Sequence, residues 1–215
     1  MNVVESGTST MGMHHAAVLS SSNQNSYHSA RLFVEQQFRF FHGAEIECDY
    51  PALMTLYDSD HNVQAVAGIR SPDNRFFLEH YLDQPVEEKL SQLFQTRIRR
   101  EKIVEVGSLA GGKDRQATDL LMHQLWDHLI RSGFEYLVVT GTKTLLFKFR
   151  KLPLHYLADA NIGMVPDSAS WGTYYDDSPG VVAGRLKDYD FRFFRNQAPD
   201  HYQTRILTGK DSYAI

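Results

Sequence analysis

The chain has 215 residues, 42% of them hydrophobic and 22% charged, which suits one domain with a core of ordinary size. Its formal net charge of −4 offers no broad basic field and argues against nucleic acid as a partner. Cys48 is the sole cysteine, which excludes an intramolecular disulfide and argues against a Cys-based metal site. No apolar run approaches the ~18 residues that a membrane-spanning helix needs. The first residues carry neither a basic n-region nor a long apolar stretch, so no secretory signal is expected and a cytoplasmic location is the default.

In chain order, residues 1–26 are rich in Ser, Asn, Thr and Met and are expected to form a mobile tail. His14 and His15 within it are expected to be solvated. Residues 28–41 carry an apolar stripe of Leu32, Phe33, Phe40 and Phe41, which predicts a helix ended by His42-Gly43. Residues 44–48 read as a short strand. Residues 53–57 and 63–70, joined by the polar cluster DSDHN, predict an antiparallel hairpin. Residues 76–82 lean towards a strand feeding a helix over 87–94, with Pro85 suited to that helix's first turn.

The most informative stretch is residues 103–132. A β-prone run, IVEV, leads into a glycine-bearing turn over residues 107–112 and then into a helix with Leu120, Leu121, Leu125, Leu129 and Ile130 on one face. Asp114 is placed to cap that helix. A strand, a glycine turn and a helix N-terminus together favour an anion, because the first helical N–H groups lack internal partners. Lys113 and Arg115 add positive charge at the same end. The turn matches neither a P-loop nor the G-x-G-x-x-G dinucleotide pattern, so ATP and NAD lose support.

Beyond it, residues 136–142 read as a buried strand and residues 143–151 as a short helix stopped by Pro153. Residues 155–160 and 181–186 read as strands on either side of a long loop holding Trp171, Tyr174 and Tyr175. A loop of that length is either functional or a sign that the strands are misassigned. Hairpins first and one βαβ unit in the middle point to a mixed sheet with helices on both faces.

Glu105 is the chemically notable residue. A carboxylate inside an apolar strand is costly to bury unless paired. It is either a base in a polar cleft, acting on an amine, or half of a structural ion pair with Arg70 or Arg115. Arg70 closes its own strand and either lines the same cleft or marks the strand's end. No nucleophile constellation is present: Ser108 fails the G-x-S-x-G spacing, and Cys48 has no helix terminus to activate it. Trp171, Tyr174 and Tyr175 either cap a substrate pocket or simply pack.

The segments FRFFHGAEI (38–46), AGIR (67–70), FLEHYLDQPVE (77–87), IVEVGSLA (103–110) and WGTYY (171–175) together resemble the thermostable hemolysin family, over roughly residues 30–185. That family in turn resembles the GNAT-like acyltransferases, among them the acyl-homoserine-lactone synthases. The resemblance implies a GNAT-like α/β domain over residues 27–187, with a mixed, mostly antiparallel sheet, and a C-terminal extension over 188–215 that packs on the domain or is partly mobile.

The resemblance also implies an acyl-CoA or acyl-carrier-protein donor and a small-molecule amine acceptor, with no metal and no transmembrane segment. Leu109, Ala110, Gly111, Gly112, Lys113, Arg115 and Gln116 would hold the donor's phosphates. Glu105 would serve as base or amine-orienting carboxylate, and Arg70 would meet the acceptor's polar end. Two departures stand out. The glycine-bearing GNAT loop is replaced by DRQAT, and Phe149 occupies the position of the usual tyrosine general acid. Either Tyr156 or Tyr174 supplies that proton, or the chemistry is weak or absent. Three functions stay open: an N-acyltransferase, a non-catalytic acyl-donor or lipid-binding module, and a directly membrane-lysing hemolysin.

Overall fold

The computed structural model describes residues 15–189 and 204–207. Its elements in chain order are β1 (His15–Ser21), α1 (Asn25–His42), β2 (Ala52–Tyr57), β3 (Val63–Arg70), α2 (Val86–Phe94), β4 (Ile103–Gly111), α3 (Arg115–Arg131), β5 (Tyr136–Gly141), α4 (Lys143–Lys148), β6 (His155–Asp159), β7 (Gly180–Arg185) and β8 (Thr204–Leu207). The strands form one sheet in the order β6-β7-β5-β4-β3-β2-β1-β8. Pairing is mostly antiparallel, with β4–β5 and β1–β8 parallel. β4, α3 and β5 make the central βαβ unit.

Strand alternation sorts the core onto the two sheet faces. Leu53, Val66 and Ala110 pack with Tyr27, Ala30 and Val34 of α1 on one face. Met54, Ala65, Ala67, Val104 and Val106 pack with Leu121, Leu125 and Leu129 of α3 on the other. Ile103, Val138 and Val181 meet Val86 and Leu90 of α2 in a third cluster. Trp126 anchors α3, donating Nε1–H to the Leu186 carbonyl at 3.2 Å. Asp114 caps α3 as expected, accepting from Gln116 N at 2.9 Å. The β2–β3 turn is organised by Asp58, whose carboxylate accepts from Asp60 N, Asn62 N and the Gln64 side chain.

Two irregularities of β4 position the site. Against β3, Val66 pairs with Ala110 and Gly68 with Gly107, so Ser108 and Leu109 together oppose Ala67. This is a β-bulge, and Ser108 takes φ of 47° within it. Against β5, pairing stops at Val106–Val139, although β4 runs on to Gly111 and β5 to Gly141. The two parallel strands therefore splay, and the gap between them opens the sheet.

Several expectations are corrected. Residues 107–112 are not a turn: β4 continues to Gly111, and the chain turns only over 112–114. Residues 44–48 form no strand; Glu45 N donates instead to Ser170 O, and Cys48 N to Glu35. Phe77–Tyr81 is a 3₁₀ helix rather than a strand. Its first amides are drawn onto the Glu105 carboxylate, a partner distant in sequence. Ile130 is 39% exposed and does not belong to the buried face of α3. Within the tail expected over 1–26, His15–Ser21 form β1 and Asn25 starts α1; residues 1–14 lie outside the described residues. Within the expected extension over 188–215, Thr204–Leu207 pair with β1, and residues 190–203 and 208–215 lie outside the described residues. The long loop after β6 holds three 3₁₀ turns, and its flanking strands lie close to where they were expected.

Gly68 and Gly107, facing one another across β3 and β4, leave room for the Tyr50 ring: a Cβ on Gly68 would overlap the ring and one on Gly107 its hydroxyl. Gly68→Ala is expected to destabilise the protein by about 1–3 kcal/mol through overpacking, read by urea denaturation. An unchanged midpoint would mean the ring is free to move.

Candidate functional site

The splay between β4 and β5 opens into a cavity of about 450 Å³ on the α3 side of the sheet, within the range of small-molecule sites. Its walls are largely apolar: Val106 and Leu109 of β4, Met122, Leu125 and Trp126 of α3, and Leu145 and Leu146 of α4. On the opposite side, a cleft of about 370 Å³ is lined by Glu47, Asp49, Tyr50, Phe77, Tyr81, Glu105 and Trp171. The two spaces share Phe38, Gly107, Ser108, Thr140 and Tyr174. The bulge of β4 is thus the boundary between an apolar chamber and one that bears carboxylates. Thr140 Oγ1, at that boundary, is buried without a hydrogen-bond partner.

Glu105 is 1% exposed. Oε2 accepts from Phe77 N at 2.7 Å, and Oε1 from Leu78 N at 3.1 Å. Arg70 Nε stands 3.5 Å from Oε2, an ion pair without hydrogen-bond geometry. Arg70 Nη2 donates to Asp49 at 2.8 Å, and the guanidinium lies 4.9 Å from the Tyr50 ring centroid. Burial pushes the Glu105 carboxyl from its ordinary 4.5 up to about 7, against the opposing pull of Phe77 N, Arg70 and Leu78 N. Glu105 can therefore exchange a proton near neutral pH. Burial also drives the Tyr50 hydroxyl well above the usual phenol range, with the Glu105 charge adding to it.

The far wall is the segment after β6. Gly172 takes φ of 52° and packs on the His42 carbonyl, where a Cβ would overlap. Thr173 N donates to the same carbonyl at 2.8 Å. This docking presents Trp171 and Tyr174 to Phe38, with Tyr174 stacked on Phe38 at 5.8 Å between centroids. The Tyr81 and Tyr175 hydroxyls share a hydrogen bond of 2.6 Å, tying the 3₁₀ helix to this wall. Burial holds the Tyr174 hydroxyl above its ordinary range.

Of the residues singled out in the sequence, Glu105 and Tyr174 line the cleft, and Tyr174 also borders the apolar cavity. Arg70 is Glu105's ion partner, as one of the two readings of Glu105 had it. Leu109, Ala110 and Gly111 line the cavity. Beyond them, Gly112 N is bound to Gln64 O at 2.8 Å and Gln116 N to its own Asp114 cap, which occupies two of the amides expected to meet an anion. Lys113 is exposed at this end. Phe149 lines the apolar cavity. Tyr156 is exposed, hydrogen-bonded to Asp159, and lines neither space, so it is badly placed to replace a missing acid.

Tyr50, Asp49, Glu47 and Thr140 went unrecognised in the sequence. The only local signal was glycine inside two strands, at 68 and 107, which marks a close approach. Among the described residues no group of His, Cys, Asp or Glu is arranged to hold a metal ion. None of the described helices is long and apolar enough to cross a membrane.

No curated protein matches the sequence. Among solved structures, the chain is similar to FeeM, an N-acyl amino acid synthase from uncultured soil microbes. The TM-score is 0.59 at 13% identity, covering 86% of this chain and 96% of that one. It is similar to BjaI, a CoA-dependent acyl-homoserine lactone synthase solved with SAM and isopentyl-CoA, with TM-score 0.57, 11% identity and coverage of 90% and 94%. It is also similar to the acyl-homoserine-lactone synthase LasI, with TM-score 0.56, 13% identity and coverage of 81% and 91%. At these identities the likeness is one of fold, and the fold is GNAT-like. The family model of the thermostable hemolysins matches residues 20–189, and the chain belongs to the thermostable hemolysin family.

Proposed function

We propose that the protein is an N-acyltransferase that moves an acyl group from a thioester, acyl-CoA or acyl carrier protein, to a small amine. The observation that carries this reading is the meeting of an apolar cavity and a carboxylate-bearing cleft at the β4 bulge. An acyl chain is satisfied by the first space and an amine by the second. Their shared boundary is where a thioester carbon and an amine nitrogen would approach. The similarity in fold to acyl-transferring synthases supports the same reading.

In the proposed reaction, the acceptor ammonium gives one proton to Glu105, directly or through water. The free amine attacks the thioester carbonyl, forming the C–N bond. The C–S bond then breaks, the nitrogen loses its second proton, and the thiolate gains one. Thioester and amine become amide and thiol, so atoms and charge balance. Thr140 Oγ1 would donate to the thioester oxygen at the boundary. Tyr174 borders both spaces, where the tyrosine that Phe149 replaces would act, but burial makes its hydroxyl a weaker acid than an ordinary phenol. The thiolate would instead take the second proton released by the nitrogen, with Tyr174 donating a hydrogen bond to the sulfur. Lys113, with Leu109, Ala110 and Gly111, would take the phosphate end of the donor. Arg70 would hold Glu105 and Asp49 in place rather than meet substrate.

Phe149 favours a second reading, a module that binds acyl donors and has lost turnover. Direct lysis is the third reading, and leakage from liposomes given protein without a donor would establish it.

The test is mass-spectrometric detection of amide from an acyl-CoA and an amine panel. In wild type the rate is expected to step upward as pH rises through about 7, where Glu105 loses its proton. Glu105→Gln is expected to remove that step and to slow transfer by ~10²–10⁴-fold, the usual scale for a general base. Retention of the step in Glu105→Gln would remove Glu105 from the chemistry. Donor binding without turnover at any pH would favour the second reading.

The same group bears on stability in the opposite direction. A carboxyl raised from 4.5 to about 7 in the folded chain contributes stability that is fully present below about pH 4.5 and is lost as pH rises through 7. Denaturant titrations between pH 5 and pH 8 are expected to show that loss, and Glu105→Gln to flatten it.

A further inference from the structure

The polar cleft differs from a site for an amino acid in one respect. Its lining carries four carboxylates, Glu47, Asp49, Glu105 and Asp167, and among the described residues no lysine or arginine. The two guanidiniums nearby are already engaged. Arg70 is held by Asp49 at 2.8 Å and stands 3.5 Å from Glu105. Arg31 is held by Glu35 and Glu47, each at 3.1 Å. A carboxylate entering this cleft would leave water, meet like charge, and find no uncommitted guanidinium or ammonium; the one imidazole in the lining, His80, has its Nδ1 bonded to the Phe77 carbonyl at 2.8 Å.

The rest of the wall suits positive charge. Phe77, Trp171 and Tyr174 form a run of rings with centroids 5.8 and 5.4 Å apart, and Tyr174 stacks on Phe38. Aromatic faces attract ammonium groups and offer nothing to anions. The carboxylates are also spread in depth. Glu105 is buried at the boundary with the apolar cavity, whereas the Glu47 and Asp49 side chains are 75% and 64% exposed. At the inner end Thr140 Oγ1 has no partner of its own.

We infer that the acceptor is an amine bearing a second positive charge and no carboxylate: a diamine or polyamine. This rests on the acyltransferase reading and adds the chemical class of the acceptor. One nitrogen lies beside Glu105 and reacts, while the other ammonium stays charged between the rings and the outer carboxylates. The product then carries an acyl chain on one nitrogen and a positive charge on another. It is a cationic amphiphile, a class of compound that disturbs anionic lipid surfaces without any help from the protein.

The test compares acceptors that differ only in a carboxylate. Lysine and 1,5-diaminopentane, and ornithine and 1,4-diaminobutane, are titrated calorimetrically into the full chain, with acyl-CoA titrated separately. Each diamine is expected to bind at least tenfold more tightly than its amino acid. Asp167→Asn and Glu47→Gln are each expected to lower diamine affinity several-fold and not to lower that of the amino acids, for which one repulsive charge is removed. Asn is compatible with the left-handed backbone at Asp167, where φ is 52°, so that variant keeps the local fold. Equal or tighter binding of the amino acids, binding of neither class, or diamine affinity untouched by both variants would overturn the inference. The acyl-CoA arm separates the two claims. If acyl-CoA binds and the amino acids are preferred, only the acceptor class falls; if diamines bind but no acyl donor does, the acyltransferase reading falls.

Discussion

A carboxylate at 1% exposure inside a central strand is the constraint around which the site is assembled. Glu105 cannot stay in that position unpaired, and it recruits two amide donors from one segment and a countercharge from another. The Phe77 and Leu78 amides wind the segment after β3 into a 3₁₀ turn. Arg70, at the end of β3, supplies the countercharge and in turn holds Asp49. Removing the carboxylate would leave two backbone N–H groups without their acceptor and Arg70 without its buried countercharge. Such losses cost about 1–3 kcal/mol per buried group. The structural role of Glu105 leaves room for the base role proposed for it.

The second determinant is the loss of pairing between β4 and β5 beyond Val106–Val139. A parallel pair in mid-sheet would ordinarily seal the two faces from each other. Here the bulge at Ser108–Leu109 turns β4 away, and the space left joins the faces. The segment around Gly172 then closes the polar side by docking on the end of α1 through His42 O. A residue with a Cβ could not make that approach, so the aromatic wall depends on a glycine in the left-handed region.

Much of the scaffold was legible because its signals are local. The helical period of α3, its Asp114 cap, the β2–β3 hairpin and the buried β5 all follow from short-range patterns. Glu105 was legible as a misfit, a charge in an apolar strand, and of the two readings given to it the ion pair with Arg70 is what the structure shows. What stayed hidden depends on distant partners. The glycines at 107 and 111 resembled a turn, yet they serve close approach within a strand, by Tyr50 at one and Thr118 at the other. The segment over 76–82 has a strand's composition and coils because Glu105 takes its amides. His15–Ser21 lies in a Ser- and Asn-rich stretch and becomes a strand by pairing with β2 and β8. Tyr50 and Thr140 carry no motif; Tyr50 matters through its packing on Gly68 and Gly107, and Thr140 through its place where the two cavities meet.

Whether the apolar cavity receives the acyl chain of a thioester is decided by calorimetric titration with CoA and acyl-CoAs of increasing chain length. Affinity is expected to climb with each added methylene, by at most ~0.8 kcal/mol, and to level off once the cavity of about 450 Å³ is filled. The cavity-narrowing variant Leu125→Trp is expected to bring that plateau to shorter chains. Affinity independent of chain length, or no binding of any acyl-CoA or acyl carrier protein, would contradict the account.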